Sequence, residues 1–476
     1  MSDTHASRIV IIGGGLAGIL AAIKIIEATD GPLSLSVVED REQLGRGIAY
    51  STPDLDHIVN GPARIFSLHL DRPDHFTDWL KTNHGRRGWA PPEGTSAADS
   101  FPPRLLYGDY VEDTLSHVLG AAAGRVFFRH VRDRARDVEP SSGGPLIHLA
   151  SGRVLAADFV VLATGLHAAD RAIDVDPVLR RDRRYVSDVW ADRALNGAET
   201  TQNILLLGSS LTSLDALITL EKRGFRGIYT AVSRRGLLVN KRNEVAPWPA
   251  FLDGAALPRR ISDLLRQVQR ERRAIAAAGE DWQRLPPSLK TFLPDLWLGA
   301  DDGERRRFAR HARVFWDVSL HRAAPPAYAF LERVQAEGRF RLLKGRVVAL
   351  KAEGKGVAAT FLPRGGGGAE EVLSADRVIN GLGHEFDWRR IADPLARNLQ
   401  ARELVRAHPT GYGIAADPLT GAVLERSGRP SQSLFAIGHP LRGAAWESSS
   451  IPEQVAGATA LGAAFGRFLP ARRDVA

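Results

Sequence analysis

Arg8-Ile-Val-Ile-Ile12 followed by Gly13-Gly-Gly15-Leu-Ala-Gly18 is the stretch on which the fold turns. The short β-branched run has the character of a buried parallel strand. The glycines open a segment with helix-like apolar residues, Ile19 to Ala28, and a second apolar run, Leu33 to Val38, ends in Glu39-Asp40. Strand, G-x-G-x-x-G, helix, strand and acid, with Glu39 standing 21 residues beyond Gly18, make a dinucleotide-binding unit rather than a glycine-rich structural turn. Gly13 permits the tight turn, Gly15 lets the backbone approach a pyrophosphate, and Gly18 lets helix and strand pack closely. The helix N-terminus suits phosphate charge, and Glu39 can accept hydrogen bonds from a ribose diol.

A second unit of this kind starts near residue 203. Asn203 to Leu207 reads as a strand, Gly208-Ser209-Ser210-Leu-Thr-Ser213 as the turn, Leu214 to Arg223 as the helix and Gly227 to Val232 as the next strand. Only the first glycine of the pattern survives, although serine is small and can hydrogen-bond a phosphate. Ser233-Arg234-Arg235 stands where a diol-binding acid would sit, and Ser with Arg suits a 2′-phosphate, which favours NADPH over NADH. The alternative is a degenerate, empty unit whose arginines are solvated surface. A near-repeat supports two such modules: Ala157-Asp158 to Gly165 and Ala375-Asp376 to Gly383 both place Asp seven residues before Gly, on an apolar strand delivering small residues to the ligand edge of a sheet.

Elsewhere the pattern is less regular. Residues 57–119 read as helices and loops inserted in the first domain, residues 126–162 as a small β-meander, and residues 257–335 as a helical insert packed on the second domain. Within that insert Phe308, Ala312, Phe315 and Trp316 fall roughly on one face, the spacing of a core stripe.

Composition narrows the classes. At 476 residues, with 44% hydrophobic and 25% charged residues, the chain has material for two or three globular domains. The net charge is +8, and of 63 basic residues only eight are Lys. That sign favours anionic ligands such as nucleotides, while no basic tail or basic–aromatic interleaving points to nucleic acid. No apolar run is long enough to span a bilayer and no secretory signal is read, so a cytoplasmic location is expected. The chain has no Cys, which excludes disulfide scaffolds, Cys-ligated metals and any thiol nucleophile, and no metal site is expected.

With these residues on the page the chain resembles the two-dinucleotide-binding-domain flavoproteins along nearly its whole length, C-terminal segment Leu434-Phe-Ala-Ile-Gly438-His-Pro-Leu-Arg442-Gly443 included. More narrowly it is similar to an FAD/NAD(P)-binding oxidoreductase family, through Gly47-Ile-Ala-Tyr50, His57-Ile-Val-Asn60, Phe101-Pro-Pro-Arg104, Leu211-Thr-Ser-Leu-Asp215 and Trp446-Glu-Ser-Ser-Ser-Ile-Pro-Glu453. Flavin N-oxygenases acting on small amino acids look similar to this group. The resemblance implies an α/β chain with two Rossmann-like, glutathione-reductase-like domains: an FAD-binding domain from residues 1–200 and 384–476, and an NAD(P)H-binding domain from 201–383 carrying the helical insert. It places Gly13, Gly15, Gly18, Glu39, Gly47, Thr164, Gly165 and Gly438 at FAD, and Gly208, Ser209, Ser210, Ser233, Arg234 and Arg235 at NADPH. The superfamily commonly has Asp after the glycine that Gly438 matches; here it is His439. Backbone amides from Ile451 begin a helix aimed at the flavin pyrimidine.

Glutathione-reductase-like enzymes pass electrons through a Cys pair, which this chain lacks. The leading expectation is therefore an NADPH-dependent FAD monooxygenase that uses O2, through a C4a-(hydro)peroxyflavin, to oxygenate a small polar substrate such as an amine or amino acid. An NAD(P)H-dependent reductase serving a quinone or protein carrier, and a non-catalytic flavin-binding sensor, stand beside it. Four residues are candidates for the chemistry: Asn60 and Arg64 near the expected flavin site, His384 directly after Gly383, and Glu447 beside Trp446. Asn60, which could hydrogen-bond the flavin and so also counts as a cofactor-binding residue, has a plainer reading as a turn residue, His384 as a structural histidine and Glu447 as a surface acid. Asn240-Lys-Arg242 can bind a phosphate or carboxylate, or be a solvated basic loop.

Overall fold

A computed structural model describes residues 6–169, 173–191, 193–365 and 367–469. The fingerprint stretch folds as its pattern requires: strand Ser7–Ile12, helix Leu16–Ala28 and strand Leu33–Val38. These belong to a six-stranded sheet in the order Ala422–Leu424, Pro430–Ala436, Phe159–Leu162, Ser7–Ile12, Leu33–Val38, Val126–Val131, parallel except for the outer hairpin at residues 422–436. One face is covered by the helices Leu16–Ala28, Arg104–Ala121 and Ile451–Phe468, and the other by a three-stranded meander and helix Pro394–Ala401. The meander is confined to Ala135–Ala156, narrower than the 126–162 expected. Its flanking runs are recruited into the main sheet, Phe159–Leu162 as a buried central strand and Val126–Val131 as the edge strand.

The second sheet runs Tyr185–Val186, Arg377–Asn380, Asn203–Leu207, Ile228–Ser233, Phe340–Glu353, Gly356–Pro363, Glu371–Ala375, with Asp174–Val175 pairing alongside Phe340–Glu353. Strands at 174–186 are therefore in this sheet, and the chain changes sheets between Leu162 and Asp174, ahead of residue 200. It returns after Asn380. The two passages between sheets pair with each other as a short antiparallel ribbon, His167–Ala168 with His384–Glu385.

The helical insert is also shorter than expected. Strand Ile228–Ser233 lies parallel to the strand from Phe340, a connection that needs a crossover helix. Pro325–Ala336 supplies it, packed against helix Leu211–Lys222. The insert proper spans the helices from Ile261 to Leu320. Its expected stripe is split by a break at Ala312, with Ala312 and Trp316 buried, Phe308 partly so, and Phe315 half exposed beneath the guanidinium of Arg235. Among the described residues no helix is long and apolar enough to cross a membrane, and no cluster of His or acids could hold a metal ion.

Candidate functional site

The glycines of the first turn act as their spacing predicts. Gly13 has φ +108°, and a Cβ there would stand 2.2 Å from the carbonyl oxygen of Ala163. A Cβ on Gly18 would lie 1.9 Å from the carbonyl oxygen of Gly13. Gly15 differs, since the nearest atom to its Cβ position is Cα of Gly47 at 3.4 Å. Gly15 and Gly47 thus present two bare backbones to one another, leaving a gap that side chains would fill. Glu39 lies beside it: its carboxylate accepts from the Gly14 N–H at 2.8 Å and the Arg41 N–H at 3.1 Å. Burial raises its pKa, against the bond from Gly14.

The loop carrying Gly47 is braced by Arg46, a residue the motif reading overlooked. Its buried guanidinium reaches Asp109 and Glu112 at 2.5 Å on helix Arg104–Ala121, and Arg87 joins Asp109 at 2.8 Å.

Two helices aim their N-termini at the same edge. On helix Ile451–Phe468, a Cβ at Gly462 would meet the Lys24 carbonyl oxygen at 2.4 Å, and one at Gly466 that of Ala28 at 2.6 Å. Both contacts rise in the same order, so this helix runs alongside Leu16–Ala28 in the same direction, bringing Ile451 level with the glycine turn. Two helix N-termini there favour negative charge on a bound group. Gly438, with φ +74°, packs where a Cβ would be 2.9 Å from Ala17 Cβ, and its carbonyl accepts from Ser448 Oγ at 2.9 Å. The Thr164 hydroxyl is buried without a partner among the described residues, and Gly165 (φ +69°) opens onto free space. A bare-backbone gap, a carboxylate beside it and an orphaned hydroxyl are features that fit FAD.

The second turn repeats the first atom for atom at three points. Gly13 N donates to Val38 O and Gly208 N to Val232 O, both at 2.9 Å; Ala163 N donates to Ile12 O and Gly381 N to Leu207 O, both at 2.8 Å. A Cβ on Gly208 (φ +107°) would meet Gly381 O at 2.4 Å. Asp158 accepts from Arg8 N, and Asp376 from Asn203 N, each holding the start of the neighbouring strand. Serine at the third glycine position is accommodated because Ser213 Oγ turns inward to Gly208 O at 3.0 Å. The hydroxyls of Ser209 and Ser233 both donate to Leu237 O, at 2.5 and 3.2 Å, so they shape the loop instead of reaching outward. Ser210 is exposed at the helix N-terminus and Arg234 is exposed beyond the second strand, while Arg235 lies 4.8 Å over the Phe315 ring. The turn, Ser210 and Arg234 fit a phosphorylated dinucleotide.

The four candidates for chemistry separate. Asn60 is exposed and makes no hydrogen bond among the described residues. Arg64 is engaged in ion pairs with Asp99 and, at 2.7 Å, with Glu244, tying the 57–119 region to the loop of Asn240-Lys-Arg242, where Arg242 also pairs with Glu244. The basic loop is thus partly neutralised: Lys241 pairs with Glu332, and Asn240 donates to Val318 O. His384 sits in the ribbon between sheets, and burial lowers its pKa. His439 is pushed down to about 3, by burial first and then by Arg442, His384 and His167, so it stands as a neutral imidazole.

Glu447 is no surface acid: only 4% of it is exposed. Its Oε1 accepts from Trp316 Nε1 at 2.6 Å, and His321 Nε2 lies 3.5 Å from Oε2. Burial would raise its pKa, but His321, Trp316 and Arg442 outweigh it and hold the carboxylate ionised. This contact joins the insert to the C-terminal segment across 131 residues. Arg442 lies beside it, with its guanidinium 4.6, 4.9 and 5.6 Å from the ring centroids of Phe386, Trp446 and Tyr412 and 3.5 Å from Asp317.

A third feature brings together residues that the sequence offered only in separate motifs. His57 hydrogen-bonds Thr52 at 2.6 Å with Nδ1, and its Nε2 lies 3.0 Å from both Asp215 O and Thr219 Oγ1 of helix Leu211–Lys222. Arg104 pairs with Asp215 at 2.6 Å, and Lys222 with Asp54 and Asp56. These contacts clamp the second module's first helix to the first module.

Comparison with known proteins agrees with this architecture. Residues 10–167 match the family model described as FAD-NAD(P)-binding. Ornithine N-hydroxylase from Kutzneria sp. 744, solved with reduced FAD, NADP+ and L-ornithine, superposes with a TM-score of 0.64 at 14% identity, covering 98% of this chain and 100% of its own. The fold is that of the two-domain flavoproteins. Ornithine hydroxylase from Pseudomonas aeruginosa gives 0.62 at 15% identity, over 97% of this chain and 99% of its own. The FAD-bound cadaverine monooxygenase from Erwinia amylovora gives 0.63 at 12%, over 99% and 97%. No curated protein matches the sequence. At these identities the likeness of this flavoprotein fold to its neighbours is one of architecture.

Proposed function

We propose that the chain is an FAD- and NADPH-dependent monooxygenase that oxygenates a small polar amine or amino acid. The observation that carries the reading is the doubled turn, Gly13 under Ala163 O and Gly208 under Gly381 O, in a chain with no Cys to relay electrons from a flavin. Its neighbours in fold act on ornithine and cadaverine, which supports the substrate class.

We divide the chain at the ribbon, with residues 1–168 and 384–476 holding FAD and 169–383 holding NADPH. When bound, the flavin supplies hydride acceptance from NADPH and activation of O2. The chain supplies geometry. Gly15 and Gly47 admit the pyrophosphate, Glu39 takes the ribose diol, Thr164 offers its hydroxyl, and the N-termini at Leu16 and Ile451 favour negative charge. Ser210 and the helix it caps receive the second pyrophosphate, and Arg234 the 2′-phosphate. The buried wall of Trp446, Trp297 and Trp316 excludes water near the C-terminal segment.

Purification, identification of the bound chromophore, and anaerobic reduction by NADPH and NADH test this directly. FAD, faster reduction by NADPH, and oxygen uptake stimulated by an amine or amino acid are expected. Arg234→Ala should weaken NADPH at least tenfold and NADH little; equal loss of both would remove the 2′-phosphate role. Reduction that serves an artificial acceptor but is never coupled to substrate-stimulated oxygen uptake would make the protein a reductase. Failure of NADPH to bleach the flavin would make it a sensor.

A further inference from the structure

Buried polar atoms in folded proteins are paired almost without exception, and each orphan calls for a partner outside the chain. Five of them gather in one place: Asp317 Oδ1 and Arg313 Nε on helix Arg313–Leu320, and Arg442 Nε, Trp446 Nε1 and Glu447 Oε2 on the C-terminal segment, are shut from solvent without a hydrogen bond among the described residues. Trp446, Glu447 and Arg442 are each more than nine-tenths buried, and the indole N–H is the only polar atom of the Trp446 side chain. The two elements belong to opposite modules, and the Trp316–Glu447 bond fastens them together.

The cluster carries both signs. Arg313 already pairs with Asp317 Oδ2 at 2.7 Å, but Asp317 Oδ1 has only Arg442 at 3.5 Å and Glu447 Oε2 only His321 at 3.5 Å, long contacts that leave each open to a closer donor, while Arg313 Nε, Arg442 Nε and Trp446 Nε1 lack an acceptor, and the two carboxylates balance the two guanidinium groups. A simple cation would leave the donors unpaired, and a simple anion would leave the acceptors unpaired, each at the cost of buried desolvated groups. We infer that this interface is the substrate subsite and that it selects a small zwitterion, an amino acid whose ammonium meets Glu447 and Asp317 and whose carboxylate meets Arg442 and the Trp446 indole. This rests on the monooxygenase reading and narrows its substrate from amines in general to amino acids.

Isothermal titration of the FAD-loaded protein tests it without turnover. L-ornithine, L-lysine and L-glutamine are compared with n-butylamine and butyrate, which carry one charged group each. At least one amino acid should bind tenfold or more tightly than both single-charge compounds, and Glu447→Gln and Asp317→Asn should each weaken it at least tenfold. FAD content and melting temperature establish that each variant is folded, and the wild-type comparison stands if one is not. Butylamine binding as tightly as the amino acids, no binding by any of the three, or folded variants with unchanged affinity would each overturn the subsite. Anaerobic bleaching by NADPH on the same samples separates the two readings: bleaching without amino-acid binding defeats this inference alone, and binding without bleaching defeats the monooxygenase.

Discussion

Gly15 and Gly18, three residues apart, separate binding from folding through what surrounds them. A methyl group on Gly18 would collide with the Gly13 carbonyl, and backbone on both sides leaves no room for relief. Gly18→Ala should therefore destabilise the protein by about 2–3 kcal/mol, seen as a lower melting temperature with or without added FAD. Gly15→Ala meets only Gly47 at 3.4 Å and should fold normally while losing FAD on gel filtration. Retention of FAD by that variant would show that the Gly15–Gly47 slot is not the pyrophosphate site. These positions were legible in the sequence through the G-x-G-x-x-G spacing, in which crowding requires the last glycine and an open gap faces the middle one. Glu447 was legible only as a residue of interest, since its partner Trp316 lies in another module and no spacing rule connects them. Arg46 carried no signal at all, because a buried arginine and a surface arginine look alike until the carboxylates facing it are known.

At the scale of elements, the clamp on helix Leu211–Lys222 has a measurable strength. Arg104 and Asp215 pair at 2.6 Å with each side chain 12% exposed. Arg104→Gln leaves the carboxylate enclosed and uncompensated, and should cost about 3 kcal/mol. Adding Asp215→Asn should recover part of that loss in a double-mutant cycle by denaturant unfolding. Full additivity would mean that the pair does not hold the modules together. The helix itself was readable from its apolar spacing, and its start at Leu211, earlier than the Leu214 expected, follows from the small serines at the turn, which let the first turn form against strand Asn203–Leu207. The docking of that helix was not readable, since Thr52, His57 and Arg104 come from a region whose sequence alternates too irregularly to show a face.

For the whole molecule, burial sets a pH limit. His439 is held neutral down to about 3, and burial also lowers His57, His167 and His384. An unfolded histidine titrates near 6.5, so below that pH the unfolded chain takes up protons that the folded chain refuses. Stability is then fully present above about pH 6.5 and falls as pH drops toward 3, at about 1.4 kcal/mol per pH unit for His439 alone. Melting temperature should decline from pH 6.5 to 4.5, and His439→Asn should flatten that decline; an unchanged slope would mean that His439 takes up its proton in the folded state.

The ribbon of His167–Ala168 with His384–Glu385 has a topological consequence. Everything from residue 169 to 383 leaves and re-enters the first module through one doorway, and all six strands of the first sheet lie outside that excursion. The second module is a cassette, and a short splice across the doorway would close the first without cutting a strand. Such a spliced chain would uncover Trp446, so the cassette also serves as the roof over the indole it packs against.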